Sequence, residues 1–476
     1  MMKKALQFCV VFISLILAYT LSYASVQEEG HDITIQIKHL KDTVVYLGYH
    51  FGDQKFVTDT SKVEADGIIH FRGTDLLTDG IYFVYSPSVY FELIANEQRF
   101  TLETDTADFI RHMKVKGSRE NEIFNEFQRF MADKQLESKG LTDRIQTLDP
   151  QQAEEEVNEL RGQILEIRDE LETFQVKLSQ ENKGTFSSRL LMAMQKPKVP
   201  EEQKDGNDGI EDKNQQFFYY KAHYFDNFDL ADPGLLKTPL YQPKVDEYME
   251  NLTYKHPDSI KAACDYILSL AEPNTETFRY VLVKLTNKYE TSKIMGMEEI
   301  FVHLAENYYL KGKAYWADDE LVGKFEQRVR ELKPNLIGNK APEIILVDSL
   351  LRPIQLSKLN NRFIILYFFD PDCSHCKKIT PQLSRLYQEI KSKDVEVFAA
   401  CTVTDIDKWK KYIRTNGLNW VNGIDPYYKS NFRADYDIKT TPMIYILNKD
   451  KEIIAKRLGV DQIKDFIERM IEFEDS

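Results

Sequence analysis

Cysteine is scarce in this chain: five in 476 residues, at Cys9, Cys264, Cys373, Cys376 and Cys401. That is too few to staple a fold of this length, which excludes a disulfide scaffold and leaves the close pair Cys373/Cys376 to be explained by chemistry or metal. Excess positive charge is missing too. The formal charge is −14, and so acidic a surface repels phosphate backbones, so no nucleic acid partner is expected. Beyond the N-terminus, no apolar run is long enough to span a membrane. Core-forming material is not lacking: 42% hydrophobic and 12% aromatic residues are ordinary for a folded protein, and the length suits about three domains.

Residues 1–24 read as a secretory signal. Lys3 and Lys4 form its basic start, and Ala5 to Ala18 is an apolar run broken only by Gln7 and Ser14. Ser22-Tyr23-Ala24 then offers small residues at both positions a signal peptidase reads. The run is short for a spanning helix. Cleavage after Ala24 is expected, and no cysteine follows that site to mark a lipoprotein. The remaining chain is expected to be soluble and outside the cytoplasm.

Three regions follow, which make the fold class multidomain. From 25 to 117 the chain reads as an all-β N-terminal domain. Ile33, Ile35 and Ile37 alternate with Thr34, Gln36 and Lys38, which puts the isoleucines on one face of a sheet. Further strands are predicted at Val44–Tyr49, Ile68–Phe71, Ile81–Tyr85, Phe91–Ile94 and Arg99–Glu103, forming a small sandwich or barrel. Tyr46, Tyr49, Tyr82, Tyr85 and Tyr90 are expected to be exposed, as cross-strand packing or as a ligand face. From 118 to 336 the period becomes helical. Ile123, Phe124, Phe127 and Phe130 make one stripe; Leu160, Ile164, Ile167, Leu171 and Phe174 make another. They suit an antiparallel hairpin, or a pairing surface for a homodimer. Asp149-Pro150 suits a helix start. Lys196 to Asn214, with Pro197, Pro200 and Gly206, is expected to be a mobile loop. The run Phe217 to Phe228 is too aromatic for open water and is either a buried seam or a binding surface. His223 within it reads as a structural hydrogen-bonding group.

From 337 to 476 the pattern is α/β. Ile344–Val347 is a short strand, and Phe363–Phe369 is almost purely apolar, as befits the middle of a sheet. The cysteine pair follows at once, then helical sequence through Ile390. Val395–Cys401, Met443–Leu447 and Glu452–Arg457 are further strands. Ile406–Asn416 is a helix closed by Gly417, and Asp461–Phe473 is the last helix. These elements imply a mixed sheet with helices on both faces.

The residues themselves point to redox chemistry. Cys373 and Cys376 lie one helical turn apart at a strand-to-helix junction, close enough for a disulfide. Cys373, at the helix start, faces unpaired backbone amides that favour an anionic sulfur. It is the expected attacking thiol, and Cys376, one turn in, the resolving one. His375 favours the thiolate when charged, whereas Asp370 and Asp372 oppose it. Cys401 and Cys264 read as buried structural thiols, with Cys401 a candidate third thiol near the site.

The stretch from Lys340 to the end resembles the thioredoxin superfamily, and within it the exported TlpA-like and ResA-like oxidoreductases. The resemblance rests on the Cys373/Cys376 pair, on Pro381 where thioredoxins kink the active-site helix, on Thr441-Pro442 where the family has a cis-proline facing the cysteines, and on Gly459 after the last strand. The upstream regions, above all Tyr220 to Asp232, resemble β-rich and helical accessory domains of unknown function that accompany such modules in exported proteins.

The resemblance implies an α/β thioredoxin-like C-terminal domain, preceded by the all-β and the mainly α-helical middle domains. It implies catalysis at Cys373 and Cys376 supported by His375, Thr441 and Pro442, and no cofactor or metal. Partners would be protein substrates with disulfides or thiols and a membrane thiol-disulfide electron relay, in the periplasm or cell envelope of a Gram-negative bacterium. Two departures stand out: Asp372 replaces a common tryptophan, and Tyr367 takes the place of a buried acid that assists proton transfer to the second cysteine.

Rival readings are a disulfide oxidase or isomerase, and a non-catalytic envelope binding protein with a vestigial thioredoxin domain. A metal site lacks a second CxxC or a paired-histidine motif. A thiol peroxidase of the same fold would need threonine or serine where Asp370 stands.

Overall fold

The computed structural model describes residues 30–42, 44–149, 153–200 and 210–475; the expected signal segment, residues 1–24, lies outside them. These residues form two compact units, one reaching to Thr253 with Tyr266–Tyr280, the other comprising Tyr254–Asp265 with Val281 onward.

The first unit begins with eight strands: β1 (His31–Lys38), β2 (Val44–Phe51), β3 (Gln54–Lys62), β4 (Ile68–Gly73), β5 (Ile81–Ser86), β6 (Val89–Ile94), β7 (Arg99–Asp105) and β8 (Lys114–Lys116). They make two four-stranded sheets, ordered β4-β1-β7-β8 and β3-β2-β5-β6. Ile33, Ile35 and Ile37 are wholly buried between them, as their alternation requires. The strand β3 escapes the hydrophobic pattern because most of it is exposed. Tyr82 corrects the expected row of exposed tyrosines. It shares the inward face of β5 with Val84, is buried in the sandwich core, and donates its hydroxyl to the Thr78 carbonyl at 3.2 Å. Tyr49 is half-buried, and only Tyr46, Tyr85 and Tyr90 remain exposed.

Two long helices follow, α1 (Arg119–Thr147), capped by the Ser118 hydroxyl on the Asn121 N–H, and α2 (Glu154–Glu181). Phe130 stacks on Phe174 at 4.0 Å and Arg144 pairs with Glu156 at 2.5 Å, so the helices run antiparallel and their apolar stripes meet each other. After α3 (Phe186–Ala193), α4 spans Ile210–Ala222. Residues 210–214 are therefore helical rather than loop: the breakers Pro197, Pro200 and Gly206 all precede Ile210, and the stretch from Ile210 onward is rich in good helix formers. Residues 201–209 lie outside the described part. The aromatic run divides, with Phe218 and Tyr219 exposed and Tyr224, Phe225 and Phe228 buried. His223 pairs with Asp226 at 2.6 Å. Helices α5 (Pro233–Leu236), α6 (Tyr241–Glu250), α7 (Pro257–Ala271) and α8 (Thr275–Glu290) complete the middle region.

The second unit adds α9 (Glu298–Leu304) and α10 (Asp319–Leu332) to a seven-stranded mixed sheet, ordered β10-β9-β13-β12-β11-β14-β15. Its strands are β9 (Ile345–Val347), β10 (Pro353–Gln355), β11 (Phe363–Phe369), β12 (Val395–Cys401), β13 (Val421–Ile424), β14 (Met443–Asn448) and β15 (Ile453–Lys456). All seven residues of β11 are buried. It lies parallel to β12 and antiparallel to β14. Ile365, Tyr367 and Phe369 face a layer built from α11 (Ser374–Ile390), α12 (Ile406–Asn416) and α14 (Val460–Asp475); Ile364, Leu366 and Phe368 face the layer of α13 (Phe432–Asp435). The chain thus has an α/β thioredoxin-like C-terminal domain preceded by all-β and mainly helical regions.

Candidate active site

The site forms where β11 ends and α11 begins. Asp370 to Asp372 make the turn, with the Cys373 N–H donating to the Asp370 carbonyl at 3.1 Å, and Cys373 is the N-cap residue of α11. Cys373 is half-buried and Cys376, one turn in, is fully buried. Both are free thiols. The Cys373 thiol donates to the Thr441 carbonyl at 3.2 Å, and the Thr441–Pro442 peptide is cis. The structure therefore brings Cys373, Cys376, Thr441 and Pro442 together.

The two sulfurs differ in acidity. Burial works against the Cys373 thiolate, but the backbone N–H groups of Cys376 and His375 and the side chains of Thr441 and Cys376 outweigh it, and the thiol ionises below its ordinary value. Burial pushes the Cys376 thiol up to about 11. His375 reaches the sulfur through its backbone; its side chain is exposed. Asp372 is tied away from the sulfur by Lys408 of α12, at 2.7 Å, which holds its carboxyl below the usual range. The Asp370 carboxylate accepts the Asp372 N–H at 2.7 Å.

Around Cys376 the place of the buried acid is taken by hydroxyls. The Tyr367 and Thr380 hydroxyls are 2.6 Å apart. Tyr412 of α12 donates to the Thr380 hydroxyl at 2.8 Å and approaches the Cys376 carbonyl at 3.3 Å. Thr380 and Tyr412 were not singled out in the sequence. The signal available for Thr380 was its spacing, one turn after Cys376 on the same helix face. Cys401, opposite Phe369 on β12, is buried, and burial pushes its thiol up to about 12, so it is inert packing. Cys264 is buried and likewise pushed up by burial.

The AhpC/TSA family profile matches residues 337–456. Two domains of unknown function, DUF4369 and DUF5106, match residues 31–124 and 168–325. The thiol-disulfide oxidoreductase ResA of Bacillus anthracis is 29% identical over 133 residues, 28% of this chain and 75% of that protein. ResA of Bacillus subtilis (strain 168) is 25% identical over 122 residues, 26% of this chain and 67% of its own. Among solved structures, a domain of a "possible thiol-disulfide isomerase" from Cytophaga hutchinsonii is 32% identical, covering 29% of this chain and 96% of its own, with a TM-score of 0.28. Residues 337–456 thus form a thioredoxin-like domain similar to the ResA thiol-disulfide oxidoreductases, and two domains of unknown function precede it.

Proposed function

We propose that the chain reduces disulfides of exported proteins through a dithiol/disulfide cycle at Cys373 and Cys376. The observation that supports this most is the asymmetry of the pair: a half-buried, acidified thiol at a helix start and a buried, weakly acidic one a turn away. The Cys373 thiolate attacks one sulfur of the substrate disulfide. That bond breaks, and the other substrate sulfur leaves and takes up a proton. Cys376 then gives up its proton and attacks the Cys373 sulfur, the mixed disulfide breaks, and the second substrate thiol departs. The substrate has gained two electrons, and the enzyme holds a Cys373–Cys376 disulfide. Thr441 and Pro442 orient the incoming chain, and the His375 N–H supports the thiolate. Electrons return from a membrane thiol-disulfide relay, with the protein in the periplasm or envelope of a Gram-negative bacterium after removal of residues 1–24. The working division is 25–117, 118–336 and 337–476.

Insulin reduction by the wild type and by Cys373→Ser tests the cycle; equal rates would end it. Cys376→Ala should accumulate partners covalently bound to Cys373. A redox titration separates reductase from oxidase or isomerase, since a potential near the about −120 mV of strong oxidants contradicts reduction. The AhpC/TSA match favours a thiol peroxidase as the second reading. Peroxide consumption faster than disulfide reduction would establish it against Asp370.

A further inference from the structure

Beside the Thr441–Pro442 peptide, the second unit holds a groove of about 400 Å³. Its lining is apolar at Ile379, Met443 and Leu458 and cationic at Arg328, Lys439 and Arg457. These cations are not equivalent. Arg328, on α10, pairs with Asp437 and Glu331, each at 2.9 Å. Lys439 pairs with the same two acids at 3.4 and 2.9 Å. Two cations are thus answered by two acids. Arg457 is exposed, and no carboxylate pairs with it among the described residues. Its backbone is also unusual. At φ 61° it holds the left-handed conformation, which glycine takes without strain and a long side chain does not, and its N–H is fixed on the Ile444 carbonyl at 2.9 Å. An exposed, unpaired cation held in a strained backbone at a groove beside the reactive sulfur is an arrangement suited to recognition.

The groove's position says what enters it. The Cys373 sulfur lies 3.2 Å from the Thr441 carbonyl, and Pro442 lines the groove. Because Pro442 follows Thr441 directly, a polypeptide disulfide-bonded to Cys373 has the groove within reach. We infer that Arg457 selects substrates, favouring disulfide-bearing polypeptides with an aspartate or glutamate beside the attacked cysteine. Apolar stems of that segment pack on Ile379, Met443 and Leu458 while its carboxylate meets the guanidinium. Arg328 is a positioning residue: through Asp437 it ties the chain leading to Pro442 to α10. The inference rests on the redox reading above and adds a substrate class to it.

The test uses the full-length chain, pre-reduced, in single-turnover exchange with two synthetic peptides. Each contains one intramolecular disulfide, flanked in one by glutamates and in the other by lysines. The field of a chain with formal charge −14 attracts the lysine peptide. The groove predicts the opposite order: the glutamate peptide reacts up to about fivefold faster at low ionic strength, the upper end of what one exposed charge pair contributes. The preference should shrink in about 0.5 M salt. Arg457→Glu should invert it and Arg457→Lys retain part of it; the ratio of the two peptides within each variant cancels any general loss of activity. Equal rates in the wild type, or a glutamate preference that survives Arg457→Glu, would overturn the inference while leaving the redox reading intact. Failure of the wild type to exchange with uncharged hydroxyethyl disulfide would remove the redox reading, and this inference with it.

Discussion

Replacing Thr380 by valine keeps the shape of a fully buried side chain and removes one hydroxyl, the one that links Tyr367 to Tyr412. The consequences for the two tyrosines differ. Tyr412 is half-buried and keeps the Cys376 carbonyl as an acceptor. Tyr367 is wholly buried, so its hydroxyl loses a partner in a place without bulk water. Leaving such a group unpaired costs about 1–3 kcal/mol. Tyr367→Phe removes the same bond from the other side. It leaves Thr380 still bonded to Tyr412, and should cost about 0.5–1.5 kcal/mol. In the double variant no hydroxyl is stranded, so it should be less destabilised than the sum of the singles by about 1 kcal/mol. Urea unfolding followed by tryptophan fluorescence reads this directly, because Trp316, Trp409 and Trp420 are the only tryptophans and all lie in the unit that contains the site. Costs that simply add would refute the hydroxyl network as the occupant of the acid's position.

Two further expectations concern the same unit. Lys456, with only 1% of its side chain exposed, pairs with Glu298 and donates to the Asn335 carbonyl at 2.8 Å and side-chain oxygen at 3.1 Å. Lys456→Met should therefore cost roughly 3–5 kcal/mol in urea unfolding, and adding Glu298→Gln should recover part of it; a cost under about 1 kcal/mol would contradict the pairing. Glu331 is held at about 2, chiefly by its hydrogen bond to Lys439, so its contribution is present above its ordinary value and lost as pH falls towards about 2. Glu331→Gln should flatten the acid limb of the unit's stability curve, and an unchanged limb would count against the network around Asp437.

Much of the C-terminal fold was legible because its signals are local. The apolar run Phe363–Phe369 marks a central strand whatever surrounds it, and Gly417 takes the left-handed cap that its position after a helix implies. The cysteine pair was legible for the same reason, since one helical turn fixes its geometry. The features that sequence did not convey depend on distant partners. Tyr82 looks like any strand tyrosine until the opposing sheet covers it. Tyr412 lies 36 residues from Cys376 and reaches it only because α12 packs beside α11. Arg328 sits on an ordinary amphipathic helix whose link to Asp437 spans 109 residues. The strands β3 and β13 are exposed or short, and neither carries a strong alternating pattern.

The central claim is that the start of α11 makes Cys373 the more readily ionised thiol of the pair, while burial disfavours ionisation of Cys376. Alkylation of the reduced chain by iodoacetamide across pH, with each cysteine's modification followed by mass spectrometry, tests it most directly. Cys373 should react first, with a midpoint below the about 8.5 of a free thiol, and Cys376 should stay protected until pH approaches about 11. A Cys373 midpoint at or above that of an unstructured cysteine peptide, or equal labelling of the two thiols near neutral pH, would contradict the account.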